Sequence, residues 1–125
     1  MESGFAEDLV THYYDVYDGN VEGKRAEALE PFYSKDSVFV IEGEEHRGES
    51  ILEKLASLPA TKHELATLDV QPIDDNHALI VVRGHITMGG EDHSLSFIQT
   101  FVVLATGDDA EPYHFVVDLF AFNYG

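Results

Sequence analysis

Four β-rich segments, HELATLDVQ, HALIVVRGHITM, HSLSFIQTFVVLA and YHFVVDLFAF, follow one another after Pro59 with only short breaks between them. Each is dense in β-branched and aromatic residues, which suit a pleated, half-buried surface. The breaks, Pro72 to Asn76, Gly89 to Asp92 and Gly107 to Pro112, carry turn chemistry. Such short connections cannot hold a crossover, so consecutive segments pair antiparallel and the spacing predicts a four-stranded meander. Both faces are apolar. Leu95, Phe97, Phe101 and Val103 point one way while Ile98, Val102 and Leu104 point the other; Phe115, Val117 and Leu119 oppose Val116, Phe120 and Phe122. Helices can cover only one of these faces. An apolar face left open to water is rare in monomers, so a homodimer through the sheet face is expected.

Helical periodicity comes ahead of the meander. Phe5, Leu9, Tyr13 and Val16 recur at steps of three and four, predicting a helix over 3–17 that Gly19 and Asn20 end. A short helix is predicted over 24–33 from Ala28, Leu29, Phe32 and Tyr33, with Pro31 ending or kinking it. ESILEKLASL, between Gly48 and Pro59, carries Ile51, Leu52, Leu55 and Leu58 along one stripe. SVFVIE, at 37–42, reads as a strand between the second and third helices. The expected fold class is α+β, with three N-terminal helices on a strongly bent, mainly antiparallel sheet. No linker, repeat or low-complexity stretch divides the chain, so residues 1–125 read as a single domain.

Charge narrows the partners. With 24 Asp and Glu against 7 Lys and Arg, the formal net charge is −17, and no cation follows Arg83. This field repels nucleic acid and anionic membranes and favours a basic partner. The chain has no Cys, which excludes disulfides and cysteine-bound zinc and fits a reducing compartment. MESGFAEDLV has neither a basic nor an apolar leader region, so a soluble intracellular protein is expected. No GxSxG or glycine-rich phosphate loop occurs, and the seven histidines show no ligand spacing, so no metal is expected. The enzymatic rival is a small-molecule isomerase or dehydratase. It would place a carboxylate base and Tyr or His donors in the hollow of a cone, with Asp69, Asp118, Tyr14 and Tyr33 as candidates. A buried acid with a raised pKa facing Tyr or His inside the hollow would support that rival. An apolar hollow with its acids on the rim would support protein binding.

Read together, several motifs resemble the nuclear transport factor 2 family, carriers that return GDP-bound Ran to the nucleus. They are His12–Tyr13–Tyr14 with Tyr17–Asp18, Glu42–Gly43 with Gly48, EKLASLP at 53–59, LDVQP at 68–72, FIQTF at 97–101 and DLF at 118–120 near the FNYG end. They fall in the family's order along nearly the whole chain. The KLxSLP run separates it from the mRNA-export and stress-granule adaptors of the same fold, which remain the other alternative.

The resemblance implies a cone-shaped homodimer whose apolar cavity, ringed by acids, receives a phenylalanine from Ran. Glu42 and Asp92 match acids that pair with Ran's basic groups, with Glu91 beside Asp92, and His63 matches a cavity-edge histidine. Leu58, Pro59 and Phe120 fall among the cavity lining, and Ile41 stands where the family carries tryptophan. Gly90 and Val117 replace an acid and an asparagine, and a short additional stretch lies around Asp18–Ala28. The family's FxFG-nucleoporin site uses a tryptophan at the position of Glu2, and this chain has none; apolar surface including Phe5 is the expected substitute. The resemblance implies no cofactor on this chain, since nucleotide and magnesium belong to Ran. It implies residence in cytoplasm and nucleus, concentrated at the nuclear pore.

Overall fold

The computed structural model describes residues 4–20, 24–90 and 93–123. Helix α1, Phe5–Gly19, buries Ala6, Val10, Tyr13, Tyr14 and Tyr17 along one stripe. Helix α2 is shorter than the periodicity suggested. It covers Arg25–Leu29, and a 3-10 turn at Glu30–Phe32 carries the chain into a strand at Tyr33. Pro31 explains the early stop, because its ring clashes with the carbonyl one turn back. Helix α3, Glu49–Ser57, seats Ile51 and Leu55 in the core.

The sheet is six-stranded, in the order β2-β1-β6-β5-β4-β3. Strand β1 (Tyr33–Ile41) turns tightly into β2 (Glu44–Arg47), a short strand the sequence pattern did not reveal. The predicted meander is present as β3 (Thr61–Pro72), β4 (His77–Met88), β5 (Leu95–Ala105) and β6 (Tyr113–Asn123). Its neighbours all pair antiparallel, whereas β1 lies parallel to β6. Parallel pairing is possible there because a long excursion through α3 and the meander separates the two strands.

Irregular pairing bends the sheet. On β3 the register shifts between Leu65 and Thr67, opposite Gly84 of β4. A Cβ on Gly84 would stand 2.1 Å from the Glu64 carbonyl oxygen, so only glycine admits this close approach. A second shift lies between Val102 and Val103, where Val117 and Phe115 are their successive partners and Val116 is left over. This bulge corrects the facing read from simple alternation. Phe115 shares the core face with Asp118, Phe120 and Phe122, while Val117 and Leu119 lie on the opposite face. One inserted residue inverts the side of everything beyond it.

The core fills the space between helices and concave face. Tyr13 meets Phe32, Phe101 and Phe115 edge-on at 5.2, 5.6 and 5.0 Å, and Phe101 stacks on Phe115 at 4.4 Å. On the far face Leu119 is 42% exposed, and Leu79, Val81, Ile98, Val102 and Val117 are half-buried around it.

Candidate functional site

At one end of the core the packing opens into a hollow of about 130 Å³. Its walls come from α1 (Tyr17), β1 (Phe39, Ile41), the residue after α3 (Leu58), β3 (Thr61, His63), β4 (Ile86, Met88), β5 (Gln99) and β6 (Phe120, Phe122). Phe120 stacks on Phe97 at 5.5 Å and meets Phe122 edge-on at 5.2 Å, making a rigid aromatic wall. Ile41, Leu58, Met88 and Phe122 are only half-buried, so apolar surface is open to an incoming group. A cavity of this size and lining has room for one aromatic ring.

His63 is held by Asp18 at the end of α1. Its Nδ1 lies 2.7 Å from Oδ1 of Asp18, its backbone N–H donates to Oδ2 at 2.8 Å, and the Thr61 hydroxyl donates to Oδ1 at 2.7 Å. Burial pushes the Asp18 carboxyl upward, but the hydrogen bonds from His63 and Thr61 outweigh it and leave its pKa lowered. The imidazole is fixed between Tyr14, Tyr17 and Phe97, with ring centroids at 4.4, 5.2 and 5.3 Å.

Arg25 braces the opposite wall. It is 1% exposed, and its guanidinium donates to the carbonyls of Tyr17 (3.2 Å), Leu58 (3.1 Å) and Pro59 (2.9 Å). It also lies 4.3 Å above the Tyr17 ring. A planar donor fork satisfies three carbonyls at once and ties the end of α1 to the segment after α3. That position sets where the Leu58 wall stands.

Glu42 marks the rim. It and Gly43 occupy a two-residue turn with φ of 48° and 82°, the left-handed pair that a tight hairpin demands. A non-glycine residue is costly there, and Asn or Gly is the usual choice. The Glu42 backbone N–H donates to the Phe120 carbonyl at 3.1 Å, and its carboxylate accepts the Phe122 N–H at 2.5 Å. An exposed carboxylate is thereby pinned beside two residues of the hollow's wall.

Behind the hollow lies a closed polar knot. Asp118 is completely buried and accepts from Tyr33 (2.8 Å) and from Gln99 (2.7 Å). Tyr14 donates to the Gln99 oxygen at 2.6 Å, and the Tyr13 and Tyr33 hydroxyls are 2.7 Å apart. Since the Tyr33 proton goes to Asp118, Tyr13 donates to Tyr33. Burial pushes the Asp118 pKa up to about 7 against the opposing effect of these hydrogen bonds. Burial likewise holds Tyr13, Tyr14 and Tyr33 above the ordinary phenol range. This acid has the raised pKa and tyrosine neighbours of a catalytic base. It does not line the hollow, where Gln99 presents itself instead.

Of the residues expected from the sequence, Ile41, Leu58, His63 and Phe120 converge on the hollow and Glu42 stands on its rim. Pro59 is exposed and lines a neighbouring depression with Met88, Gly89 and Leu95. Glu91 and Asp92 lie outside the described residues. Phe5 is half-buried, stacks on Tyr113 at 5.2 Å, and lines a separate groove with Leu68, Val70 and Pro72. Tyr17, Gln99, Met88 and Arg25 were missed as site residues. Tyr17 reads as helix core and Gln99 lies within the FIQTF run, yet neither motif marks them as lining; no local pattern marks Met88 or Arg25. Among the described residues no cluster of His, Asp and Glu forms a metal site.

The nuclear transport factor 2 (NTF2) domain model matches residues 5–122. Nuclear transport factor 2B of Arabidopsis thaliana is 34% identical over 93% of this chain and 90% of its own. Nuclear transport factor 2 of Emericella nidulans is 34% identical over 95% and 93%. The structure of nuclear transport factor 2 from Cryptosporidium parvum superposes with a TM-score of 0.81 at 25% identity, covering 94% of this chain and 90% of that one. The helices, the bent six-stranded sheet and this likeness along almost the whole length lead to one assignment: the chain belongs to the nuclear transport factor 2 family.

Proposed function

We propose that this protein is a nuclear import carrier that binds GDP-loaded Ran and returns it to the nucleus. The observation that carries the reading is the hollow itself: mainly apolar walls, room for one aromatic ring, and the Glu42 carboxylate braced at its rim. An inserted aromatic side chain supplies apolar burial, while rim carboxylates orient a basic partner and hasten encounter. The net charge of −17 adds long-range steering. On this reading Glu42, Glu91 and Asp92 meet Ran's basic groups, and Ile41, Leu58, His63 and Phe120 receive its aromatic residue, with Pro59 just outside.

The apolar far face around Leu119 supports assembly of two copies through the sheet. The groove beside Phe5 supports weak contact with phenylalanine-glycine repeats of nucleoporins. Both fit a carrier that shuttles between cytoplasm and nucleus through the pore. Likeness to nuclear transport factors supports a carrier over an enzyme, and the raised-pKa acid that the isomerase or dehydratase reading called for is sealed behind Gln99, away from the hollow. Calorimetric titration with Ran in its GDP and GTP states tests the proposal. Binding to the GDP form alone is expected; binding to neither form would overturn it.

A further inference from the structure

The hollow is not wholly apolar. The His63 side chain is only 2% exposed and spends Nδ1 on Asp18, yet among the described residues it has no hydrogen-bond partner for Nε2. Tyr17 is 7% exposed, and among the described residues its hydroxyl has no partner either. Among the described residues every fully buried polar side-chain atom has a partner, so these two atoms keep contact with free space. Both residues line the hollow. A bare hydrocarbon ring seated there gains apolar burial but leaves these two atoms without a partner, whereas a ring that carries a hydroxyl also satisfies them.

We propose that the hollow is a binding site for a small single-ring phenol, whose hydroxyl meets His63 Nε2 and the Tyr17 hydroxyl while its ring packs on Phe120, Leu58 and Met88. Size supports the choice, since a dry cavity of about 150 Å³ takes up benzene and this one offers about 130 Å³. Hydroxyl chemistry supports it independently of the histidine's protonation. A neutral imidazole donating through Nδ1 to Asp18 presents Nε2 as an acceptor for the phenol O–H; a protonated ring donates to the phenol oxygen instead. A phenol answers either. Such a ligand would occupy the space the carrier reading reserves for a partner's aromatic side chain and so compete with that partner. Only this competition rests on that reading.

The test titrates the full chain with p-cresol and with toluene, followed by methyl and amide NMR. We expect p-cresol to bind roughly fivefold to tenfold tighter, the worth of one added hydrogen bond, with shifts at Ile41, Leu58 and Met88. In His63→Phe the preference should vanish while toluene still binds. Equal or tighter binding of toluene by the wild-type chain would overturn the site without recourse to any variant, as would shifts confined to the groove at Phe5 and Leu68. A parallel titration of Ran-GDP separates the two readings. If p-cresol binds through His63 but leaves Ran-GDP affinity unchanged, the phenol site stands and the carrier's use of the hollow falls. If Ran-GDP binds but p-cresol shows no preference over toluene, the phenol site alone falls.

Discussion

Two polar clusters flank Gln99, and they differ in what their groups face. On one side Asp118, Tyr33, Tyr13 and Tyr14 close on one another, with the acid wholly buried. On the other, Asp18 and Thr61 hold His63, which shares the hollow with Tyr17. The first cluster has the composition of a proton-transfer site but no room for a substrate. The second has room but spends its only carboxylate on positioning the imidazole. A strongly shifted pKa therefore points to function only where the shifted group faces a cavity; here it marks a structural knot.

If that contrast holds, damage to the knot should cost stability and damage to the rim should cost binding. The largest effect is expected for Asp118→Ala, which leaves the Tyr33 hydroxyl and the Gln99 amide without their acceptor and opens a void. A loss of about 3 kcal/mol in urea-denaturation stability is expected. Glu42→Lys should leave that stability nearly intact while weakening binding to a basic partner by about 2 kcal/mol, roughly thirtyfold, by calorimetry. Equal losses of stability in the two variants would erase the distinction.

Arg25→Met probes the boundary between the regions. It keeps apolar bulk but leaves three carbonyls without their donor, so about 1.5 kcal/mol of stability should go. Because the freed segment carries the Leu58 wall, partner affinity should fall as well, by roughly threefold to tenfold.

The gentlest effect per step is a pH slope, spread over several units. With its pKa near 7 in the folded protein, Asp118 keeps a proton that the unfolded chain releases near pH 4. Unfolding free energy should therefore decline as pH rises through that window, by at most about 1.4 kcal/mol per unit, and level off above it. Asp18, with its lowered pKa, acts in the opposite sense and only under acid, where its contribution is lost as pH falls. Urea midpoints across this window should flatten in Asp118→Asn; an unchanged slope would assign the proton elsewhere.

Much of the architecture was legible because its signals are periodic. Steps of three and four in α1 and α3, and β-branched runs after Pro59, are repeated along the chain and survive local noise. The hollow was legible only through family likeness. Ile41, Leu58, His63 and Phe120 lie far apart in sequence, and no spacing rule joins them. Arg25 could not be found at all, since a lone cation reads as solvated surface and its partners are backbone carbonyls that every residue possesses.

Alternation along the last strand taught the same lesson at closer range. Phe115 and Val117 look like neighbours on one face until the bulge at Val116 separates them. A bulge depends on the register of the partner strand, which no single segment specifies.

The sequence by itself determined the helices, the antiparallel meander, the two-sided apolar sheet and the acidic field, because these follow from local composition and period. Only the tertiary structure decided which acid would be sealed and which would be displayed. Asp118 and Glu42 are both carboxylates at strand ends or interiors. Their fates were set by the bulge that turned one inward and by the tight turn that held the other at the rim. Burial and exposure arise from how distant segments pack, and that packing gives the same chemical group opposite roles.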